Sequence, residues 1–363
     1  MFFEIDQMNK TFSSPIIYPL GDNARPYHLS VGDINNDSNV DIIFANQLNH
    51  SVDILISQGN GTFVYNSLST GIDSHPQHVS VIDLNHDQQL DIVVSNKGGC
   101  NFGVFINNGN GIFQSQVTYP ISNQSCSPTL TVADLDHDTH VDVVVTNRNV
   151  NTVVIFKNTG RGTFFLFRNY SLSSNTGGHF PSIIDMNGDE HPDIVLTYNS
   201  SNRIGILYNN GTGELFREQS YSVGNQSNPQ ESRIGDIDND AKLDIIVANY
   251  ASDNIAILRN KGNGTFYPMA TISTGMQSGP QSLALVDMTN DNYLDIIVAN
   301  YEASNIQIYA NLGDGNFTLR ETYSLAKGSQ PISLVIYDVN NDDKHDMIVA
   351  NVGKKNICIY LSR

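Results

Sequence analysis

The chain has 363 residues, with 37 Asp and Glu against 19 Lys and Arg, and a formal charge of −18 at pH 7. A field of that sign argues against nucleic acid and anionic membrane surfaces as partners, while 39% hydrophobic residues suit a packed core rather than an acidic disordered tail. No run approaches the roughly 18 consecutive apolar residues of a spanning helix, so direct membrane insertion is not expected.

In chain order, the opening Met1-Phe2-Phe3-Glu4-Ile5-Asp6 is too acidic and too short for a secretory signal. Asn9-Lys10-Thr11-Phe12 has the form of the end of a Gly-rich turn that recurs further on. The pattern Asp-x-Asn/Asp-x-Asp-x-x-x-Asp then begins at Asp33, Asp83, Asp134, Asp185, Asp236, Asp287 and Asp338, with a first step of 50 residues and later steps of 51. So regular a period means one supersecondary unit used seven times.

Within each unit a proline (Pro26, Pro76, Pro128, Pro181, Pro229, Pro280, Pro331) precedes a short apolar strand such as His78-Val79-Ser80-Val81-Ile82, and the acidic loop follows directly. A β-branched run comes next, as in Asp244-Ile245-Ile246-Val247-Ala248-Asn249. An alternating strand such as Asn254-Ile255-Ala256-Ile257-Leu258 follows, whose period of two marks a half-buried strand. A Gly-rich turn, Asn260-Lys261-Gly262-Asn263-Gly264-Thr265-Phe266, leads into a more polar fourth strand. Four short strands joined by Gly/Asn turns describe one blade of a β-propeller. The expected fold is all-β: a single domain over residues 1–363, a seven-bladed propeller of four-stranded blades. No unit carries a helical stripe long enough for a solenoid. The chain ends at Ser362-Arg363, where other units begin the Gly-rich turn, so residues up to about 20 are expected to complete the seventh blade.

Three or four carboxylates within nine residues repel one another by roughly 1 to 4 kcal/mol per close pair, and seven copies call for a compensating cation. Oxygen-only donors at odd positions select a hard ion, Ca²⁺, in the manner of a shortened EF-hand loop. Side-chain ligands at positions one, three, five and nine, with a backbone carbonyl at position seven, give Asp33, Asn35, Asp37, Asn39 and Asp41 in the first loop. The second to fifth loops give Asp83, Asn85, Asp87, Gln89, Asp91; Asp134, Asp136, Asp138, His140, Asp142; Asp185, Asn187, Asp189, His191, Asp193; and Asp236, Asp238, Asp240, Lys242, Asp244. The sixth gives Asp287, Asp291, Tyr293 and Asp295, with Thr289 in place of the third ligand, and the seventh Asp338, Asn340, Asp342, Lys344 and Asp346. Six or seven Ca²⁺ sites are expected, the sixth being the weakest. Asp/Asn-rich turns without metal are the bland alternative, but turn chemistry does not demand carboxylates at fixed odd positions. The expected ligands include 23 of the 37 acidic residues, and seven divalent ions would reduce −18 to −4.

The loops and their spacing resemble the FG-GAP/VCBS repeat family, which includes the propeller of integrin α subunits and carries an Asp-x-Asp/Asn-x-Asp-Gly-x-x-Asp calcium loop. The resemblance spans essentially the whole chain and implies calcium and an adhesion or receptor-like role. This chain departs at loop position six, where Ser38, Gln88, Thr139, Glu190, Ala241, Asn292 and Asp343 replace the family's glycine, and it lacks the Phe-Gly and Gly-Ala-Pro signatures. A non-Gly residue at so sharp a bend carries strain.

On the face opposite the acidic loops, second strands end in Asn46, Asn96, Asn147, Asn249, Asn300 and Asn351, with Tyr198 in the seventh place and Tyr250 and Tyr301 following two of them. They read either as a ring of amides for a sugar or peptide or, preferably, as side chains that satisfy their own turns. Cys100 and Cys126 fall on that same face, as a disulfide or as two free thiols, the latter disfavoured outside the cell. Cys358 reads as a buried small hydrophobe. His86, His137, His140 and His191 lie in the acidic loops as solvated residues, and no His or carboxylate cluster is evident away from those loops. Eleven Asn-x-Ser/Thr sequons give weak support for secretion.

The resulting functional reading is a non-enzymatic, extracellular or cell-surface recognition module, a glycoprotein and part of a longer adhesion protein, binding a protein or glycan through loops opposite the calcium face. The alternative is a lectin, since the plan is also similar to that of a fungal sugar-binding protein; the chain has no Trp but 16 Tyr for stacking. A propeller-fold enzyme is the third reading.

Overall fold

The computed structural model describes residues 11–122, 126–173 and 176–363; the readings for residues 1–6, Asn9 and Lys10 lie outside them. Among the described residues the strands form seven four-stranded antiparallel sheets. In the first blade Pro26–Gly32, Asp41–Asn46, Ser51–Ser57 and Phe63–Ser69 follow in order, and the same order repeats around the ring. The first strands of neighbouring blades pack on one another about the axis, and Pro26–Gly32 touches both Pro76–Ile82 and Pro331–Tyr337, which closes the circle.

Closure is by the N-terminal segment, as the repeat phase requires. Ile16–Pro19 pairs with Asn356–Tyr360 as the outer strand of the seventh blade, Ile16 opposite Ile359 and Pro19 opposite Asn356. Even the seventh Gly-rich turn is rebuilt, from both ends of the chain. Phe12 bridges Ser362 as Phe266 bridges Asn260, and the Arg363 N–H reaches Thr11 O at 3.0 Å where Lys261 N–H reaches Thr265 O at 2.8 Å.

The second strands are apolar on both faces because both faces are covered: all six residues of each are buried. Each hydrophobic cluster is shared by two neighbouring blades. Ile43 and Ile54 of the first blade meet Val79 and Ile92 of the second, and Leu29 and Ile42 meet Ile348 and Ile359 of the seventh. Full burial of one such side chain contributes about 1.5–3 kcal/mol, so stability lies between blades rather than within them. The fourth strands face solvent and are mostly polar, except in the third blade, where Phe165 and Leu166 are exposed.

Polar ties reinforce these seams. Asn158, at the end of a third strand, donates its amide to Leu84 O of the preceding blade at 2.8 Å and to Val141 O of its own loop at 3.1 Å. Asn107, Asn209, Asn260 and Asn311 repeat both bonds. Ser57 of the first blade and Ser362 of the seventh, the two blades that meet where the ring closes, occupy this place.

The prolines open their strands, where a missing N–H is tolerated, with one correction. Pro181 lies inside Gly178–Ile184, at a register shift between His179 and Ser182, with Phe180 in the left-handed region at φ 43°. This bulge turns Phe180 towards the axis, where a cavity of about 260 Å³ is lined by His28, His78, Phe180, Glu231 and Arg233. His28 and His78 stack with ring centroids 3.5 Å apart, and His179 lies edge-on to Phe180 at 4.2 Å. The expectation that no His or carboxylate cluster exists away from the acidic loops is therefore corrected: residues far apart in sequence share the axis because every first strand lines it.

Burial and Arg233 hold His28 down at about 3, and burial with Arg148 does the same to His179. A base whose folded pKa is depressed binds fewer protons than the unfolded chain, so its contribution falls as pH drops below the ordinary value near 6.5. At pH 5 this is about 2 kcal/mol for one such histidine. In calcium-saturated urea unfolding, the stability of the native chain relative to His179→Gln should fall by about that amount between pH 7.5 and pH 5; a pH-independent difference would show that His179 does not titrate in this window.

Candidate functional site

Each acidic loop joins the first strand of a blade to the second, and its backbone wraps around its own carboxylates. The first Asp accepts the N–H of position six through Oδ2 at 2.7–2.8 Å in all seven loops, from Ser38 to Asp343. The fifth-position Asp accepts the N–H of position seven at 2.8–3.0 Å in every copy. These bonds bend the chain twice into the left-handed region. Position six has φ between 62° and 74° although no copy is glycine, which is the strain expected from the sequence.

The closing Asp is the deepest member. Asp41 is fully buried, and its two oxygens accept from Ile34 N at 3.0 Å and Ser57 N at 2.7 Å, fastening the loop to the end of the third strand. Asp91, Asp193, Asp244, Asp295 and Asp346 make the same pair. Burial, with the like charges of the loop adding to it, pushes Asp41, Asp91, Asp193 and Asp244 up to about 6. Asp142 reaches about 7. It has one backbone bond, from Asn158 N at 3.0 Å, and its Oδ2 is buried without a hydrogen-bond partner.

The side chain of position seven leans over the Gly-rich turn of its own blade. A Cβ at Gly59 would stand 2.7 Å from Asn39 Oδ1, at Gly160 2.5 Å from His140, and at Gly211 2.5 Å from His191. Lys242 and Tyr293 crowd Gly262 and Gly313 in the same way. The acidic loops and Gly-rich turns therefore form one face, as the strand order requires. Histidines of adjacent loops also meet there, His86 with His140 and His137 with His191.

The third and fifth loops alone have Asp at position three. In both, three carboxylates, Asp134, Asp136 and Asp138 or Asp236, Asp238 and Asp240, offer oxygens within 4.8 Å of one another. A cation on the third strand of the same blade answers each extra charge: Lys157 pairs with Asp136, and Arg259 with Asp238 at 3.9 Å. The five other blades carry Ile56, Ile106, Tyr208, Ala310 and Leu361 at that place. This covariation between repeats was visible in the sequence once the units were aligned. Asp136 Oδ1 and Asp238 Oδ1 remain buried without a partner. Thr289 of the sixth loop turns its hydroxyl to Asp287 at 3.4 Å.

On the opposite face the second-strand amides are at most 1% exposed. Asn46 binds Arg25 N and Asp53, Asn96 binds Asn101, Asn300 binds Asn305 and Gln307, and Asn351 binds Asn356. They tie their own hairpins and the preceding link, and they lie buried rather than on the surface. Tyr198, also buried, reaches Glu218 at 2.9 Å across Gly205, where a Cβ would strike its ring. Cys100 and Cys126 are joined in a disulfide, and Cys358 is free and buried. A further cluster absent from the sequence reading, His50, Asp73 and His75, lies where the first blade passes to the second.

A model of the FG-GAP-like repeat matches in six overlapping copies, residues 33–94 through 287–349. T-cell immunomodulatory protein of Rattus norvegicus is 25% identical over 243 residues, 63% of this chain and 39% of that protein, and the Homo sapiens protein is 25% identical over 244 residues. The matched region spans about 39% of the length of these relatives. Among solved structures, virginiamycin B lyase of Staphylococcus aureus has a TM-score of 0.70 at 13% identity, covering 97% of this chain and all of that one. An Agrocybe aegerita lectin described as recognising non-reducing terminal N-acetylglucosamine has a TM-score of 0.58 at 18% identity, covering 93% and 86%. At those identities the likeness is one of fold. With the repeat model running through all seven acidic loops, the chain belongs to the FG-GAP-like repeat family.

Proposed function

We propose that this chain is a calcium-stabilised, non-enzymatic recognition module of an extracellular or cell-surface protein, presenting the face opposite the acidic loops to a protein or glycan ligand. The observation that carries the calcium reading is the set of carboxylate oxygens with no donor to satisfy them: Asp136 Oδ1, Asp142 Oδ2 and Asp238 Oδ1 are buried and unpartnered inside the acidic loops. An unpaired buried carboxylate oxygen is costly, and a hard divalent cation is the partner whose chemistry fits an all-oxygen set. Side chains at loop positions one, three, five and nine would hold it, with the seventh carbonyl. The ion supplies positive charge to a loop that is otherwise self-repelling.

The recognition reading draws on the other face. Ile72 and Met276, at equivalent places in two blade links, are 92% and 94% exposed, and Leu48, in the second-to-third turn of the first blade, is half exposed. Tyr250 and Tyr301 stand 6.3 Å apart on the same side. Exposed apolar and aromatic groups on variable loops are the usual material of a binding surface. The disulfide suits an oxidising compartment, and the relatives' name, T-cell immunomodulatory protein, suits a binding role. A glycan array with calcium present separates the ligand classes: a defined sugar selects the lectin form of this reading, and a blank array the protein-binding form.

At about 1 mM ion, a site with Kd near 10⁻⁴ M adds about 1.4 kcal/mol. Excess chelator at low ionic strength should therefore lower the melting temperature by many degrees, and added Ca²⁺ should restore it; an unchanged melt would sink the calcium reading. Lys157→Met removes a competing cation from Asp136, so one calcium site should tighten roughly tenfold by titration calorimetry, or about 1.4 kcal/mol. The double variant Asp136→Asn with Lys157→Ile, which copies the second blade, should leave that site near its native affinity.

A further inference from the structure

We infer that His50, Asp73 and His75 form a binding site for a divalent transition metal of the zinc type, on the face opposite the acidic loops. One ligand atom from each of the three lies within 4.8 Å of the others. Two imidazoles and one carboxylate are a donor set that favours zinc, cobalt, nickel or copper over calcium. The site stands independently of the calcium loops.

The repeat explains why these side chains meet. In every blade the turn between second and third strands ends on one residue whose carbonyl accepts the N–H that follows the fourth strand: His50, Cys100, Asn151, Asn202, Asp253, Ser304 and Lys355. In several blades the side chain of that residue also reaches the link into the next blade. Asn151, Asn202 and Asp253 accept the backbone N–H of Gly177, Asn228 and Gly279 at 2.7, 2.9 and 3.0 Å. In the second blade Cys100 is joined covalently to Cys126, the link residue just before Ser127, which takes the place of His75, with Cα atoms 5.4 Å apart. The turn position and the link beside it therefore come within bonding distance of each other's side chains. In the first blade both positions are histidine, with rings 4.5 Å apart, and Asp73 stands where other links have Gln226 or Gln277.

The backbone is set for this arrangement. His50, Asp73 and His75 are all left-handed, at φ 54°, 58° and 48°. The link is pressed onto Gly98, where a Cβ would lie 1.7 Å from Asp73 O. His50 Nδ1 accepts His75 N–H at 3.3 Å, longer than the bonds made by Asn and Asp at this place, so it is the bond most easily given up to a metal. Donors on a tetrahedral zinc stand roughly 3.3 Å apart, a closure that side-chain rotation can supply. Three protein ligands leave a fourth position for water. His50 and His75 are half-buried and Asp73 is exposed, so an ion can enter from solvent.

The test uses protein stripped by chelator, saturated with Ca²⁺ to fill the acidic loops, and titrated with Co²⁺, whose visible ligand-field absorption reports a four-coordinate nitrogen and oxygen site. Substitutions borrow what other blades already carry: His50→Asn as in Asn151, His75→Asn as in Asn228, and Asp73→Gln as in Gln226. Each should keep the native circular dichroism and weaken Co²⁺ binding at least about tenfold, the loss of a direct ligand exceeding that of a supporting group. His86→Asn with His140→Asn, on the other face, should leave the band unchanged, and Zn²⁺ should displace it. The proposal is overturned if the native protein gives no such band, if all three variants keep it at full affinity, or if it follows His86 and His140 instead.

Discussion

The interaction on which the rest depends is the buried closing aspartate of each acidic loop. Asp41 and its six counterparts open the second strands with their carboxylates at most 1% exposed, which would be untenable without donors. Backbone N–H groups from the loop and from the end of the third strand supply them in six blades, and in the third Asp142 has only the Asn158 N–H. One side chain thereby sets the start of the loop, the register of the hairpin and the end of the third strand, where the Asn ties to the preceding blade begin. The carboxylate still titrates high because burial outweighs those bonds, and its neighbours in the loop add like charge. The same groups that fasten a blade thus leave a negative charge only partly compensated, which a cation would relieve.

Much of this was legible in the sequence, for reasons that differ by element. The period was readable because each loop needs Asp at fixed places to turn its backbone, so chemistry repeats in phase even where composition drifts. Closure was readable because Thr11-Phe12 and Ser362-Arg363 are two halves of one turn. Two kinds of feature escaped. Asn107, Asn158, Asn209, Asn260 and Asn311 look like turn residues, and only the packing of one blade on another gives their amides a second partner. The histidines at the axis and at the first blade link are brought together by ring geometry, with no short spacing to announce them. Pro181 escaped differently, since it keeps the residue type but sits at a bulge inside the strand.

The departures from repeat symmetry are informative because the backbone is nearly constant. Where the second-to-third turn meets the following link, one geometry accommodates an amide bond in the third and fourth blades, a carboxylate in the fifth, a disulfide in the second and paired imidazoles in the first. In these five blades the scaffold places a contact there and leaves its chemistry open. A surface built in this way can acquire new properties blade by blade, since a substitution at one link leaves the other six seams unchanged.

Charge on the acidic face follows the opposite rule, with variation compensated locally. Only the third and fifth loops add an aspartate at position three, and only those two blades place Lys157 or Arg259 beside it, so each adds one negative and one positive charge. Counting that cation, positions one, three, five and nine carry three net negative charges in each loop, although in the fifth Lys242 also pairs with Asp240 at 2.7 Å. A purely structural turn has no reason to hold that value constant, because exposed carboxylates on separate blades interact weakly across solvent. A divalent ion does supply a reason. Its affinity depends on the charge of the site, so loops of matched charge would fill over a similar concentration range, with the sixth, which has Thr289 at position three, the weakest.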